Sequence, residues 1–269
     1  MTKVKMEENV VIYHVGGRAL HVDIFRPANP SGPVPGLLFL PGGGWQTATR
    51  TPLKERYGMR MAQHGYVCVT GEYRVMDEAP WPAQIQDVKA TIRWMRAHSE
   101  RLGIDPAAII VGGKSAGGHL ALLAAGTRGV DAFEGDSGNT GVSSEVAAVV
   151  GVAPVADMTE WAHRPALVKL FGESPSAEVV KAANPIAHIN RDYPPTLLVH
   201  GTADTRVPHA MTMRMYQALE QAGVPVELLL YAGQDHFFDQ EPQFNGAIAD
   251  AMAFFMARYV SARVAVTTA

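Results

Sequence analysis

The chain has 269 residues, 47% hydrophobic and 18% charged, with a formal net charge of −3 and one cysteine, Cys68. A chain of this size and apolar content buries a core without metal or disulfide, and its scattered Lys and Arg argue against a nucleic-acid partner. The opening MTKVKMEENV lacks a signal-peptide core and no run of about 18 apolar residues follows, so a cytoplasmic protein with no membrane partner is expected.

Alternating apolar residues over Val10 to His14 and Leu20 to Phe25 flank Gly16-Gly17 and predict a β-hairpin. Gly36 to Leu40 reads as a buried strand that runs into Pro41-Gly42-Gly43-Gly44-Trp45, and a helix is expected to start near Thr51-Pro52. Tyr66 to Thr70 is the next strand. Cys68 within it reads as a small buried residue rather than a nucleophile.

From Pro82 to Arg101, Ile85, Val88, Ile92 and Met95 recur at helical spacing, and Gly103 closes the segment. A strand over Ala108 to Val111, a turn over Gly112 to Gly118 and a helix over Leu120 to Thr127 follow. After a Gly/Ser-rich loop to about Ser144, Val146 to Val152 is again a strand. Residues 154 to 195, rich in proline, read as a small cap inserted into a single domain.

Thr196 to His200 and Val226 to Tyr231 are the last strands, with helices over Pro208 to Ala222 and Pro242 to Arg263. Met211 and Met215 share a helical face with Ala218 and Ala222, as core filling does. Strands alternating with amphipathic helices predict a mostly parallel α/β sheet covered on both faces.

Gly113-Lys114-Ser115-Ala116-Gly117 is a G-x-S-x-G pattern placed between a predicted strand and a predicted helix. Such a turn needs small residues two positions either side of a serine that projects above the sheet. A serine hydroxyl attacks only when a base takes its proton. In the chain order expected for this turn, an acid and then a histidine follow the serine, each after a late strand.

Of ten histidines, His236 alone lies just beyond the last strand, and Asp204 follows the strand before it. Asp239 is the more credible rival acid. Asp235 is too close in sequence to reach its neighbour, and Asp204 has the ordinary alternative of a turn aspartate. His200 ends an apolar strand and reads as a buried structural residue, and His119 sits inside the helix after the turn. The consecutive glycines after the third strand allow backbone amides to converge on a developing anion. A phosphate loop is the weaker reading, since the Walker lysine and hydroxyl are missing. No pattern calls for a metal or a cofactor.

The chain resembles the hormone-sensitive-lipase-like branch of the α/β-hydrolases and the small esterases similar to bacterial feruloyl and acetylxylan esterases. The resemblance rests on Pro41 to Trp45, Tyr73-Arg74, Trp81 to Gln84, Ser115 to His119, His200 to Asp204 and Asp235-His236. It implies the α/β-hydrolase fold with an eight-stranded, mostly parallel sheet, and a Ser115–Asp204–His236 triad. It also implies an oxyanion hole from the amides of Gly43, Gly44 and Ala116.

Tyr73, Arg74 and the Trp81 segment are then structural or pocket-lining. Trp45, Lys114, Trp161 and Phe237 are the candidate substrate contacts. Two positions depart from the family. Pro41 replaces a histidine, which leaves the hydrogen bonding of the glycine loop open. Lys114 is a cation beside the nucleophile. It could favour acidic substrates, but so long a side chain is expected to point into solvent and take no part.

The expected activity is hydrolysis of short- to medium-acyl or carbohydrate-linked esters, because the cap is short for a lipase lid. An amidase is the first alternative, since the glycine loop is also similar to that of kynurenine formamidases. A ligand-binding protein without catalysis is more remote, because all three triad candidates are present. The expected partner is a small-molecule ester, and homodimer formation is left open.

Overall fold

β1 (Val4–Val15) and β2 (Arg18–Pro27) form the antiparallel hairpin that the alternation around Gly16-Gly17 predicts, extended at both ends. Gly16 and Gly17 both take positive φ, +58° and +81°. A two-residue turn of that hand matches the twist of the flanking strands and suits glycine. The computed structural model describes residues 3–159, 165–172 and 175–261.

The remaining strands are β3 (Val34–Leu40), β4 (Val67–Gly71), β5 (Ile104–Lys114), β6 (Ala148–Val152), β7 (Thr196–Gly201) and β8 (Val226–Tyr231). They join one eight-stranded sheet in the order β1-β2-β4-β3-β5-β6-β7-β8. β2 meets β4 antiparallel, and every pairing from β4 to β8 is parallel. Parallel strands are covered on both faces and so read as unbroken apolar runs. Leu37 to Leu40 and Val149-Val150 are fully buried in this way.

The helices are α1 (Met59–Gln63), α2 (Ala83–Ala97), α3 (Ser99–Leu102), α4 (Ala116–Gly126), α5 (Asp131–Glu134), α6 (Pro165–Phe171), α7 (Ala177–Ala182), α8 (His209–Gln221) and α9 (Pro242–Met256). One face of the sheet packs against the apolar stripes of α2, α4 and α8, including Ile92, Leu120, Met211 and Met215. The other face packs against α1 and α9, where Met61, Met252 and Phe255 share one buried cluster with Cys68. Each such fully buried side chain contributes about 1.5–3 kcal/mol. Burial also pushes the Cys68 thiol well up from its ordinary value, so the buried-residue reading of this cysteine fits.

Several boundaries differ from the sequence reading. The helix expected over Pro82 to Arg101 divides at His98, whose φ and ψ of −110° and +24° are not helical; Gly103 then ends α3 at a φ of +71°. Near Thr51-Pro52 the chain makes turns and then a π-helical segment, Lys54–Gly58, before α1. α9 ends at Met256 and continues as a π-helical segment, Ala257–Ser261. Between β6 and β7 lie α6, α7 and a short 3-10 turn, Pro185–His188. Among the described residues no helix is long and apolar enough to cross a membrane. No cluster of three or more His, Cys, Asp or Glu that could hold a metal occurs among them either.

Candidate active site

In parallel α/β sheets, the loops after the strands gather at one rim, and that rim is where ligands bind. Here the loops after β3, β5, β7 and β8 carry Gly43, Ser115, Asp204 and His236 respectively. The turn after β5 holds Ser115 at φ +53° and ψ −117°, a region that non-glycine residues avoid. Backbone packing dictates the flanking glycines. A Cβ on Gly113 would lie 2.4 Å from the Gly117 carbonyl, and one on Gly117 would lie 2.4 Å from the Pro41 oxygen. A Cβ on Gly42 would come within 3.2 Å of the Ser115 Cβ. The glycine loop and the nucleophile turn therefore touch backbone to backbone.

The structure brings the three triad candidates together. His236 Nε2 is 3.0 Å from Ser115 Oγ, and His236 Nδ1 is 2.6 Å from Asp204 Oδ2. With Nδ1–H directed at a carboxylate, the lone pair on Nε2 faces the serine hydroxyl, as a general base requires. The loops that supply the acid and the base fit against each other at Gly201, where a Cβ would lie 2.4 Å from the Gln234 oxygen.

Asp204 does two jobs with its two oxygens. Oδ1 accepts the amides of Arg206 and Val207, each at 2.9 Å, so the turn-aspartate reading also holds. Oδ2 serves His236 and, at 3.1 Å, His200 Nε2. Because Val207 O accepts from the same nitrogen, His200 carries its proton on Nε2 and takes the Thr212 hydroxyl on Nδ1. Burial alone would raise the Asp204 carboxyl, but the hydrogen bonds from His200, His236 and Val207 outweigh it and hold the group far below the usual carboxylate range.

The other acids are occupied. Asp235 accepts its own loop amide at Phe237, 2.7 Å away. Asp239 is fully buried and bound by Lys114 Nζ at 2.5 Å and by the Tyr57 hydroxyl at 3.2 Å. That pairing corrects the expectation for Lys114. Its ammonium does not reach solvent: the residue is 7% exposed, donates to the His236 carbonyl oxygen and Asp239, and lies 5.2 Å from the Phe238 ring centre. The strand end that carries Lys114 runs directly under the His236 loop, which encloses the side chain. Burial lowers the Lys114 pKa, and the Asp239 carboxylate opposes that shift.

In the glycine loop, the amides of Gly43 and Gly44 find no acceptor among the described residues, and both residues line the cavity above Ser115. The Ala116 amide opens α4, where the first helical N–H groups lack intrahelical partners. The Pro41 departure does not leave the loop untied, because Tyr73 donates its hydroxyl to Pro41 O at 3.1 Å. Arg74 grips Asp87 with two guanidinium nitrogens at 2.8 Å each, so this pair is structural.

The cavity at the rim holds about 690 Å³ and is lined by the loops after β3, β5, β7 and β8 together with Leu53, Arg56 and Val155. Of the expected substrate contacts, Trp45 and Phe237 line it, and Lys114 forms part of its floor. Trp161 lies outside the described residues. Trp45 is 2% exposed and packs edge-on to His119, at 5.2 Å between ring centres. Arg56 and Tyr57 escaped the sequence reading. They sit in a segment without chemical pattern, and only the approach of that segment to Asp239 reveals them.

His119 is fully buried, and its environment carries a pH signature. Burial pushes its imidazolium down to about 4, although the bond from Nε2 to Ala183 O, 2.8 Å long, opposes this. An unfolded histidine takes up its proton near pH 6.5. Stability is therefore complete above about pH 6.5, falls by about 3 kcal/mol toward pH 4, and loses nothing more to this group below that. His119→Gln, which retains a donor for Ala183, should flatten that stretch in urea-melt free energies. An unaltered slope would assign the acid sensitivity to another group.

Esterase LipC of Mycobacterium tuberculosis is 31% identical over 87% of this chain and 61% of its own length. Esterase LipQ of the same organism is 31% identical over 91% of this chain and 60% of its own. The chain thus spans about three fifths of these curated relatives. Among solved structures, a truncated carbohydrate esterase from gut microbiota superposes with a TM-score of 0.83 at 27% identity, covering 94% of this chain and 96% of that one. The propionate-bound Est2 esterase of Thermogutta terrifontis gives a TM-score of 0.76 at 30% identity, covering 93% of each chain. Sheet order and these likenesses are those of the α/β-hydrolase fold. The BD-FAE family model matches residues 22–219, about three quarters of the sequence, and the chain belongs to that family.

Proposed function

We propose that this chain is a serine carboxylesterase that works through an acyl-serine intermediate. The continuous line of hydrogen bonds from Ser115 Oγ through His236 to Asp204, at 3.0 and 2.6 Å, carries the reading. His236 Nε2 takes the serine proton as Oγ attacks the ester carbonyl, then returns it to the leaving alcohol. Water, deprotonated by the same nitrogen, releases the acid. Asp204 keeps Nδ1 protonated and steadies the imidazolium. The amides of Gly43, Gly44 and Ala116 hold the oxyanion, each worth about 3–4 kcal/mol in the transition state.

A cleft of about 690 Å³ suits a small or medium acyl group. The relatives named above are esterases, and nothing in the cleft favours an amide. Nitrophenyl esters from acetate to dodecanoate, beside the matching anilides and an N-formyl amide, test the reading. The acetate-to-hexanoate esters should have the highest kcat/KM, with every amide at least about 100-fold slower. Faster amide cleavage would overturn it, and absence of any turnover would return the chain to a binding role.

A further inference from the structure

The charged side chains that line the catalytic cleft are Arg56, Lys114, Arg206 and Asp239. Lys114 and Asp239 neutralise each other at 2.5 Å. Arg56 is left over. Its Nη1 is 3.9 Å from Asp239 Oδ2, beyond hydrogen-bond distance, and its guanidinium has no hydrogen-bond acceptor among the described residues. Arg206 is exposed at the rim, 4.9 Å over the Phe237 ring, with no carboxylate partner among those residues. Asp204, behind His236, has both oxygens occupied by histidines and backbone amides.

The contrast lies next door. A second hollow shares Thr47 and Thr49 with the cleft, and there every cation has its own carboxylate. Arg50 pairs with Asp23 and Glu72, Arg18 with Glu78, and Lys54 with Glu8. In that hollow the cations are balanced; above Ser115, Arg56 and Arg206 are not. A guanidinium presents a planar fork that fits a carboxylate with two parallel hydrogen bonds. A cleft of one sign also concentrates ligands of the other. The Arg56 side chain is only 25% exposed, so solvent screens its charge incompletely.

We propose that the cleft selects esters bearing a second, ionised carboxylate, gripped by Arg56 with Arg206 at the rim; this rests on the esterase reading above. The carboxylate belongs to the acid part or to the alcohol part of the ester, and the test has an arm for each. On the acid side, monomethyl glutarate is compared with its carboxamide isostere, methyl 4-carbamoylbutanoate. On the alcohol side, 4-acetoxybutanoate is compared with 4-acetoxybutanamide. Both carboxylates are ionised at pH 7.5.

In at least one arm the wild-type kcat/KM for the anion should exceed that for its neutral isostere about tenfold. The ratio should shrink in 0.5 M NaCl, fall to near one in Arg56→Gln, and recover only in part in Arg56→Lys, which lacks the fork. Arg206→Gln should reduce it less. Ratios cancel any general loss of activity, and the wild-type salt series stands even if Arg56→Gln folds poorly. A wild-type ratio near one in both arms, or one unmoved by Arg56→Gln, overturns the proposal. Failure to cleave the neutral isosteres as well as nitrophenyl acetate would instead overturn the esterase reading.

Discussion

Ser115→Ala is expected to lower nitrophenyl acetate turnover about a million-fold while the melting curve stays in place. In the proposed mechanism the loss, about 8 kcal/mol of transition-state stabilisation, follows from removing the group that forms the acyl bond. Alanine retains the Cβ, so the strain at φ +53° is unchanged and the turn is preserved. The glycine-loop amides remain and should leave catalysis roughly a thousandfold or more above water. Steady-state kinetics beside circular dichroism check the result. Retention of even one per cent of wild-type kcat would remove Ser115 from the nucleophile's role.

Lys114→Met tests the buried cation beneath the histidine loop, and its effects should separate into two parts. Methionine fills similar space but leaves the Asp239 carboxylate buried with no counter-charge except Arg56 at 3.9 Å. Breaking one side of such a pair costs about 3–5 kcal/mol, or roughly 6–20 °C in Tm for a chain of this size. The same change removes the donor to the His236 carbonyl oxygen, so the proposed base loses its anchor and kcat should fall about tenfold or more with KM little altered.

The double variant Lys114→Met with Asp239→Leu distinguishes the parts. Replacing both charges with apolar groups should return most of the stability, since apolar replacement of a buried pair is close to neutral. The kcat defect should persist, because the His236 backbone still lacks its partner. Recovery of full kcat in the double variant would reduce Lys114 to a counter-ion for Asp239.

Ser115, Asp204 and His236 were legible because each stands at the end of a strand in an order that one fold demands. The glycines at 43, 113 and 117 were legible because backbone crowding leaves a mark in composition, and Gly44 because its φ of +59° does. The role of Lys114 was not. Its partners lie 122 and 125 residues away, and the sequence says only that a long side chain usually finds water. The break at His98 was also hidden, since the apolar stripe from Ile85 to Met95 ends before it and leaves nothing to report the change of direction. β1 ran further than its alternation suggested, because pairing with β2 continues from Val15 back to Val4 despite two register shifts.

The contact between Gly117 and the carbonyls that close β3 has an engineering meaning. The spacing between the turn that carries Ser115 and the glycine loop is set by main chain against main chain, with the Leu40 and Pro41 carbonyls against Gly117. Libraries at Leu53, Phe237 and Arg206, whose side chains line the cavity, should therefore change which compound fits while that main-chain contact stays in place.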